Sequence, residues 1–258
     1  MFKRLKAVFG GGTTVETEVH TAVARPGGRL DGVIEVVGGD VEQEIRYLAL
    51  ALEARVEVET DNGEHHADER FASQQVHGAF PLHPGEQRSV PFSIDVPLET
   101  PFNVLGGRDL PGVRLGLRTE LEIARSLDKG DFDPIRVAPL PAQERILATL
   151  ERIGCRFRRS DLERGRIRGS ALPFYQELEF TSPAEFARAV SELEVTFLAG
   201  PHGMDVLLEG VRRGGFLDAG GDRVVRLSVA YDAVERTDWE SALRHHLQEL
   251  GRRRGLFG

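Results

Sequence analysis

Residues 113–141 read VRLGLRTELEIARSLDKGDFDPIRVAPLP. From Val113 to Ile123, apolar residues and a threonine occupy every second position, so an extended chain would have one apolar face and one polar face. From Asp128 to Pro141 the chain is rich in aspartate, glycine and proline, which are typical of turns. The stretch therefore predicts a half-buried strand and then a turn-rich exit from one folded unit into the next.

The chain before this stretch has the same period of two. Strands are predicted over residues 15–23, 30–37, 45–60, 71–80 and 90–96. Asn62 and Gly63 indicate a hairpin, because both residue types accept the positive φ angles of a tight turn. Several short strands without a long helix favour an antiparallel β-sandwich, predicted here over residues 1–136.

The first residues follow a helical period instead. Phe2, Leu5 and Phe9 lie at helical spacing with cations between them, and three glycines follow. Residues 1–9 therefore predict a short amphipathic helix. It would lie on the protein's own body or, together with the basic tail at 252–257, attach weakly to an anionic membrane surface.

The second half begins with another predicted helix. Pro141 is tolerated in a first helical turn, and an apolar stripe follows that ends at Gly154. A second, smaller sandwich is predicted over residues 137–236, from strands at 172–180, 193–199, 204–209 and 224–231. The segment 237–258 predicts a C-terminal helix, in which Thr237 and Glu240 have capping-box spacing and Trp239 starts an apolar face.

The composition is that of an ordinary soluble protein. The chain has 258 residues, 40% of them hydrophobic and 29% charged, and a formal net charge of −8. Its surplus of positive charge is confined to the two ends, whereas a nucleic-acid-binding domain presents a basic face. Cys155 is the single cysteine and no apolar run could span a bilayer, so we expect a cytoplasmic protein without disulfides.

Two pairs of adjacent histidines suggest metal sites. His65 and His66 have three carboxylates nearby, at Asp61, Glu64 and Asp68. Neighbouring residues of a strand point to opposite faces, however, and this pair follows a hairpin tip. In the predicted terminal helix, His245 and His246 diverge by about 100°. We therefore expect His65 and His66 to lie in a solvent-exposed loop, and we expect neither pair to bind one metal ion together.

Two further groups could carry chemistry. Asp128, Asp131 and Asp133 lack the ligand spacing of a calcium loop and predict a turn in which they accept hydrogen bonds from local amides. Cys155 precedes three arginines within residues 156–159, which could activate a thiol, but a packing role is favoured. No catalytic residue, metal ligand or cofactor site is predicted.

Short motifs follow one another in a particular order along nearly the whole chain. In the first half they are PGG at 26–28, LDGVI at 30–34, QEI at 43–45 and LDKGDFDPIRV at 127–137. In the second half they are RIL at 145–147, LERIG at 150–154, LPF at 172–174 and QELEF at 176–180. Their order and spacing resemble the SpoOM sporulation-control family, whose fold is similar to that of arrestin.

The resemblance implies two β-sandwich domains, no known catalytic centre and a role in the control of sporulation. We accordingly expect a non-enzymatic cytoplasmic regulator or adaptor that binds other proteins. One alternative is a peripheral scaffold at the inner membrane face that uses the basic ends, and another is a metal-dependent enzyme that uses the acidic, histidine-bearing loops. Nucleic acid is not expected as a partner, and self-association stays open.

Overall fold

The computed structural model describes residues 7–8, 12–60, 63–124, 130–211 and 223–251. In these residues the N-terminal half consists of strands and their connections. The strands are β1 (Ala7–Val8), β2 (Thr14–Val19), β3 (Arg29–Val37), β4 (Gln43–Thr60), β5 (Gly63–His77), β6 (Phe80–Leu82), β7 (Gln87–Asp95), β8 (Val104–Leu105), β9 (Arg108–Asp109), β10 (Leu115–Ile123) and β11 (Gly130–Pro134).

The C-terminal half combines helices and strands. In chain order they are α1 (Pro141–Arg152), β12 (Arg156–Arg164), β13 (Phe174–Thr181), β14 (Glu192–Ala199), β15 (Gly203–Val211), β16 (Arg223–Ala230) and α2 (Trp239–Gly251). Neither helix is long and apolar enough to cross a membrane, within the part of the chain that the structure describes.

Two sheets pack face to face in the N-terminal half. One has the strand order β1-β2-β3-β7, and the other begins β11-β10-β4, with β5 and β6 on the far side of β4. Leu48, Leu50 and Leu52 of β4 are fully buried in this sandwich, on the face that the alternation predicted. Thr17 and Thr119 form a hydrogen bond of 2.7 Å between their hydroxyl groups across the same interior.

The strand predicted at 113–123 is confirmed as β10, and Val113 is buried just before it. The turn predicted around Asp131 and Asp133 is wrong, because Gly130–Pro134 is a strand that pairs antiparallel with β10. Pairing with β10 gives the backbone N–H and C=O groups of these residues partners in the sheet, whereas in a turn most of them would bond to water.

The exit segment after β11 is fastened to the N-terminal sandwich. Asn103 donates from Nδ2 to the backbone oxygen of Ile135, and its Oδ1 accepts from the backbone nitrogen of Val137, both at 2.8 Å. Val137 also forms a parallel bridge with Ala24. Arg25 donates to the backbone oxygen of Pro139. The segment therefore crosses to the second half along a fixed path.

The helix predicted over residues 1–9 is wrong where the structure describes it. Ala7–Val8 is strand β1, in register with Thr14 and Val15 of β2. A helix of nine residues is marginal in water, whereas an extended chain can complete the backbone ladder of an existing sheet. The other residues of the predicted helix lie outside the described residues, as does the basic tail.

Strands β12 to β16 continue the sheet of β4 into the C-terminal half. Their order is β12-β13-β14-β15-β16, and β12 joins β4 in parallel at Glu57 and Glu163. Among the described residues, α1 and α2 form the layer facing these strands, where we expected a second sheet. The apolar stripes of the two helices account for this arrangement, since their side chains cover the apolar face of the sheet. The buried side chains of these stripes include Ile146, Leu147, Leu150, Trp239, Leu243, Leu247 and Leu250. The predicted boundaries at 136 and 236 stay predictions.

The predicted C-terminal helix is confirmed over 239–251, but its start differs from the capping box. The carboxylate of Asp238 accepts a hydrogen bond from the backbone nitrogen of Ser241 at 3.1 Å. The Thr237 hydroxyl, predicted as the cap, instead donates to the backbone oxygen of Ala233 at 2.9 Å. Aspartate caps a helix through its charged carboxylate, which also interacts favourably with the positive end of the helix dipole. Trp239 is buried, and its Nε1 donates to the backbone oxygen of Val234 at 2.8 Å.

Candidate functional site

Three carboxylates converge on the outer face of the ten-stranded sheet, where its two halves meet. Asp161 and Glu163 lie two residues apart on β12 and therefore point to the same side. The parallel pairing of β4 with β12 places Glu57 beside Glu163. Carboxylate oxygens of these three residues lie within 4.8 Å of one another. We call Glu57, Asp161 and Glu163 the junction carboxylates.

An open cleft of about 400 Å³ lies beside the junction carboxylates. It is lined by Arg55, Glu57, His66, Gly112, Val113, Arg114, Asp161 and Leu162. His66 is opposite Glu57 in the pairing of β5 with β4, whereas His65 is opposite Val58 and lies on the other side of the strand. Both histidines are exposed, as predicted, but they lie on strand β5 and not in a loop, and the structure brings His66 to the cleft.

Burial and crowding raise the pKa values of the junction carboxylates. Burial raises the pKa of Glu163 to about 7, and the charges of Asp161 and Glu57 add to the shift. Burial also raises the pKa of Asp161, although the positive charge of Arg159 opposes it. The pKa of Glu57 is raised by burial and then by a hydrogen bond with Glu64. Each group binds a proton more readily than an exposed carboxylate does.

The acidic surface continues onto the next strand. Glu177 of β13 is opposite Asp161, and its pKa is raised by burial and by a hydrogen bond with Glu194. Two carboxyl groups share a hydrogen bond only when one of them carries a proton. Arg159 lies on the same face, where its guanidinium donates to Glu179 at 2.7 Å and lies 3.4 Å from Asp161.

This arrangement suits binding of a proton or a cation. Hard divalent cations prefer oxygen ligands such as carboxylates, and an imidazole nitrogen is a ligand for transition metals. Among the described residues, the junction carboxylates are the group that could offer three acidic ligands to one ion. Protonation of the same groups would remove the repulsion between them.

The other carboxylates singled out by sequence lie elsewhere. Asp131 and Asp133 point into the interior of the N-terminal sandwich, and Oδ2 of each is buried without a hydrogen-bond partner. Oδ1 of Asp131 accepts a hydrogen bond from the backbone nitrogen of Phe132 at 3.0 Å, which is a bond to a local amide of the kind predicted from the sequence. Burial raises the pKa of Asp133 to about 7, with the charges of Asp131 and Glu16 adding to it. Asp128 and Asp61 lie outside the described residues.

His245, His246 and Cys155 are likewise separate from the junction carboxylates. The imidazoles of His245 and His246 lie 3.6 and 2.9 Å from carboxylate oxygens of Glu249 on the same helix. Cys155 is buried, and burial raises the pKa of its thiol to about 12, although the charge of Arg244 opposes the shift. A thiol with so high a pKa is a poor nucleophile, so its placement supports the packing role.

Sequence reasoning missed the junction carboxylates. Asp161 and Glu163 show the spacing of residues on one face of a strand, and Glu57 lies on the polar side of a predicted strand. Each signal is local and common. What makes them a cluster is the pairing of β4 with β12, and the alternation of residues carries no information about which strands become neighbours.

The ten-stranded sheet also ends in an edge of a different character. In its described part, no strand pairs with the outer side of β16. The backbone nitrogen of Tyr231 donates to the oxygen of His202 at 3.1 Å, in register with the β15–β16 ladder. Since alternate residues of an antiparallel strand bond one neighbour, the backbone groups of Val224, Arg226, Ser228 and Ala230 point away from β15.

Comparisons with known proteins converge on one family. The SpoOM protein family matches residues 2–214. The sporulation-control protein spo0M of Bacillus subtilis (strain 168) is 33% identical over 246 residues, which are 92% of this chain and 93% of that protein. The crystal structure of Spo0M from Bacillus subtilis is similar with a TM-score of 0.80 at 29% identity, covering 92% of this chain and 98% of that chain. The mainly β, arrestin-like fold class predicted from the sequence is confirmed.

Proposed function

Because the chain belongs to the SpoOM protein family, we propose that it is a non-enzymatic regulator in the control of sporulation that acts by binding other proteins. The name of the Bacillus subtilis relative supports the regulatory role, and the similarity extends over nearly the full length of both chains. Binding by an extended segment of a partner suits a mainly β protein whose sheet ends in an open edge.

The outward edge of β16 is the observation that carries the proposal of protein binding. A partner strand could accept from and donate to the backbone groups of four residues there, at alternate positions along β16. The side chain of Val224, at one end of this edge, is 51% exposed and offers an apolar contact. Main-chain bonds would give affinity, and the side chains would give specificity.

Strand β5 is a poorer candidate for the same role. Its residues 64–70 carry six charged or imidazole side chains, and Ala72 has a positive φ of 52° at a register shift opposite β4. Charges and bulges are the features by which proteins protect exposed edges from pairing. Strand β16 has two arginines, and one of them, Arg226, is engaged by Asp205, with its Nε at 3.0 Å from Oδ2.

The test uses a proline at an outward position of β16. Partners are first identified by crosslinking in the native cytosol, and their binding to the purified protein is then measured by calorimetry. Val224→Pro removes an outward N–H without removing a bond to β15, and proline is tolerated on edge strands. We expect a loss of affinity of about 5- to 150-fold, since a partner carbonyl is left unpaired at a cost of about 1–3 kcal/mol.

Val224→Thr is the matched control. Threonine keeps the backbone N–H and a β-branched side chain, so the affinity should fall far less. Equal affinity of wild type and Val224→Pro would show that the partner does not add a strand to β16. Recovery of no stoichiometric partner at physiological salt would remove the support for an adaptor.

A further inference from the structure

The joint between β4 and β12 has two unlike sides. On the core side, the rings of Phe71 and Phe174 pack edge to face with centroids 5.4 Å apart. Gln176 accepts from the backbone nitrogen of Phe102 at 3.0 Å and donates to its oxygen at 2.8 Å. Those contacts hold the halves together independently of pH, because none of these side chains titrates near neutrality.

On the outer side, the halves meet through like charges. The backbone register between β4 and β12 is a single pair, Glu57 with Glu163. The titratable and charged groups that face the junction carboxylates come from four strands and the segment before β10. They are Arg55 and Glu59 of β4, Glu64 and His66 of β5, Arg159 of β12, Tyr175, Glu177 and Glu179 of β13, and Arg114.

We propose that this joint is a proton-operated hinge, in which the outer side of β12 lies against β4 while the junction carboxylates carry protons, and their ionisation widens the cleft beside His66. The core-side contacts of Phe174 and Gln176 act as the pivot. The hinge does not depend on the proposed function, since it follows from the joint itself.

Repulsion between ionised groups provides the opening force. Ionised carboxylates whose oxygens lie within 4.8 Å of one another repel each other, and protonation of one of them removes its share of that repulsion. The pKa of Glu163, about 7, places the change in the neutral range. With a folded pKa above the ordinary 4.5, the closed joint is favoured at low pH and loses that stability as the pH rises through the folded value.

The cations at the joint limit the movement without cancelling the repulsion. Arg159 lies beside Asp161 but also binds Glu179, whose carboxylate shares its charge. Arg164 of β12 forms an ion pair with Glu69 of β5, which links the two halves on the opposite face of the sheet. Opening is therefore a rocking motion and not a separation of the halves.

Energy transfer between two dyes on the full chain tests the hinge. Cysteines placed at the exposed positions Ala79 and His202 carry pH-insensitive fluorophores, one in each half. Cys155 is buried and its pKa is raised to about 12, so it does not compete for label. We expect the transfer efficiency to fall between pH 5.5 and 8.5, with a midpoint near pH 7.

Neutral variants assign the change to the junction carboxylates. Glu163→Gln and Asp161→Asn keep the side-chain shapes and should each remove at least half of the pH-dependent change in transfer. Glu235→Gln, on the exposed segment before α2, is the control and should leave the change intact. A transfer efficiency that is constant with pH, or a change that survives both neutral variants, would overturn the hinge.

Discussion

Replacing Glu53 with glutamine should destabilise the protein by about 2–4 kcal/mol. The residue lies on the outer face of β4 and is 1% exposed. Its two carboxylate oxygens accept from Arg118 at 2.6 and 2.8 Å, and Arg70 adds a contact of 3.3 Å. Glutamine keeps the shape but removes the charge that balances two guanidinium groups.

The magnitude follows from the burial of the partners. Removing one member of a fully buried ion pair costs about 3–5 kcal/mol, because the other charge is left without compensation. The side chain of Arg118 is 18% exposed and that of Arg70 is 51% exposed, so water takes over part of the lost interaction. The expected cost of about 2–4 kcal/mol is therefore somewhat lower than that of a fully buried pair.

Urea denaturation at pH 7, followed by circular dichroism, measures the effect. In thermal unfolding, each kcal/mol of lost unfolding free energy should lower the melting temperature by about 2–4 °C in a chain of this size. The matched control is Glu122→Gln. The side chain of its partner, Arg46, is 64% exposed and lies 3.3 Å from the Glu122 carboxylate, so loss of this ion pair should cost less than about 1 kcal/mol. Equal losses for the two variants would refute the argument from burial.

The same pair predicts a dependence on pH. Burial acts to raise the pKa of Glu53, but the hydrogen bonds and charges of Arg118 and Arg70 outweigh it and lower the pKa below the ordinary 4.5. Its contribution is therefore present above pH 4.5 and is lost as the pH falls through the folded value. The difference between wild type and Glu53→Gln should shrink in acid, and a constant difference would contradict this assignment.

Three further predictions concern other parts of the fold. Asn103→Ala removes two hydrogen bonds to the backbone at Ile135 and Val137, so it should lower the unfolding free energy by about 1–3 kcal/mol and change the small-angle scattering profile. If stability and profile were both unchanged, the exit segment would not be fixed by Asn103. The raised pKa of the Glu177 carboxyl stabilises the folded state below pH 4.5, and this stabilisation is lost as the pH rises through the pKa of the folded state. Glu177→Gln should therefore make the unfolding free energy decline less with rising pH. An unaltered pH profile of stability would contradict this role of Glu177. Cys155 should react with a thiol reagent only on unfolding, and rapid reaction of the native protein would show that it is not buried.

Strand faces could be predicted from the sequence because burial on one face imposes a period of two. Leu48, Leu50 and Leu52 are buried on the expected face of β4, and the apolar face that starts at Trp239 is buried on α2. In each case the signal and its cause lie within one element, so no knowledge of neighbouring strands is needed.

Features that depend on pairing between distant strands could not be predicted. The junction carboxylates gather because Glu57 and Glu163, 106 positions apart in the chain, become neighbours in parallel strands. The helical spacing in residues 1–9 was overridden at Ala7–Val8 because β2 offered a sheet edge. Asp131 likewise lies on a strand because β10 was available to pair with it.

Residue-specific photo-crosslinking in the native cell tests the central claim most directly. A photoreactive amino acid is placed at Val224 or Ser228 on the outer edge of β16, and at the exposed Ser73 of β5 as the control. We predict that both β16 positions capture the same protein, which Ser73 does not capture, and that Val224→Pro abolishes capture at Ser228. Capture from Ser73 alone, or capture at Ser228 that persists with proline at position 224, would contradict it.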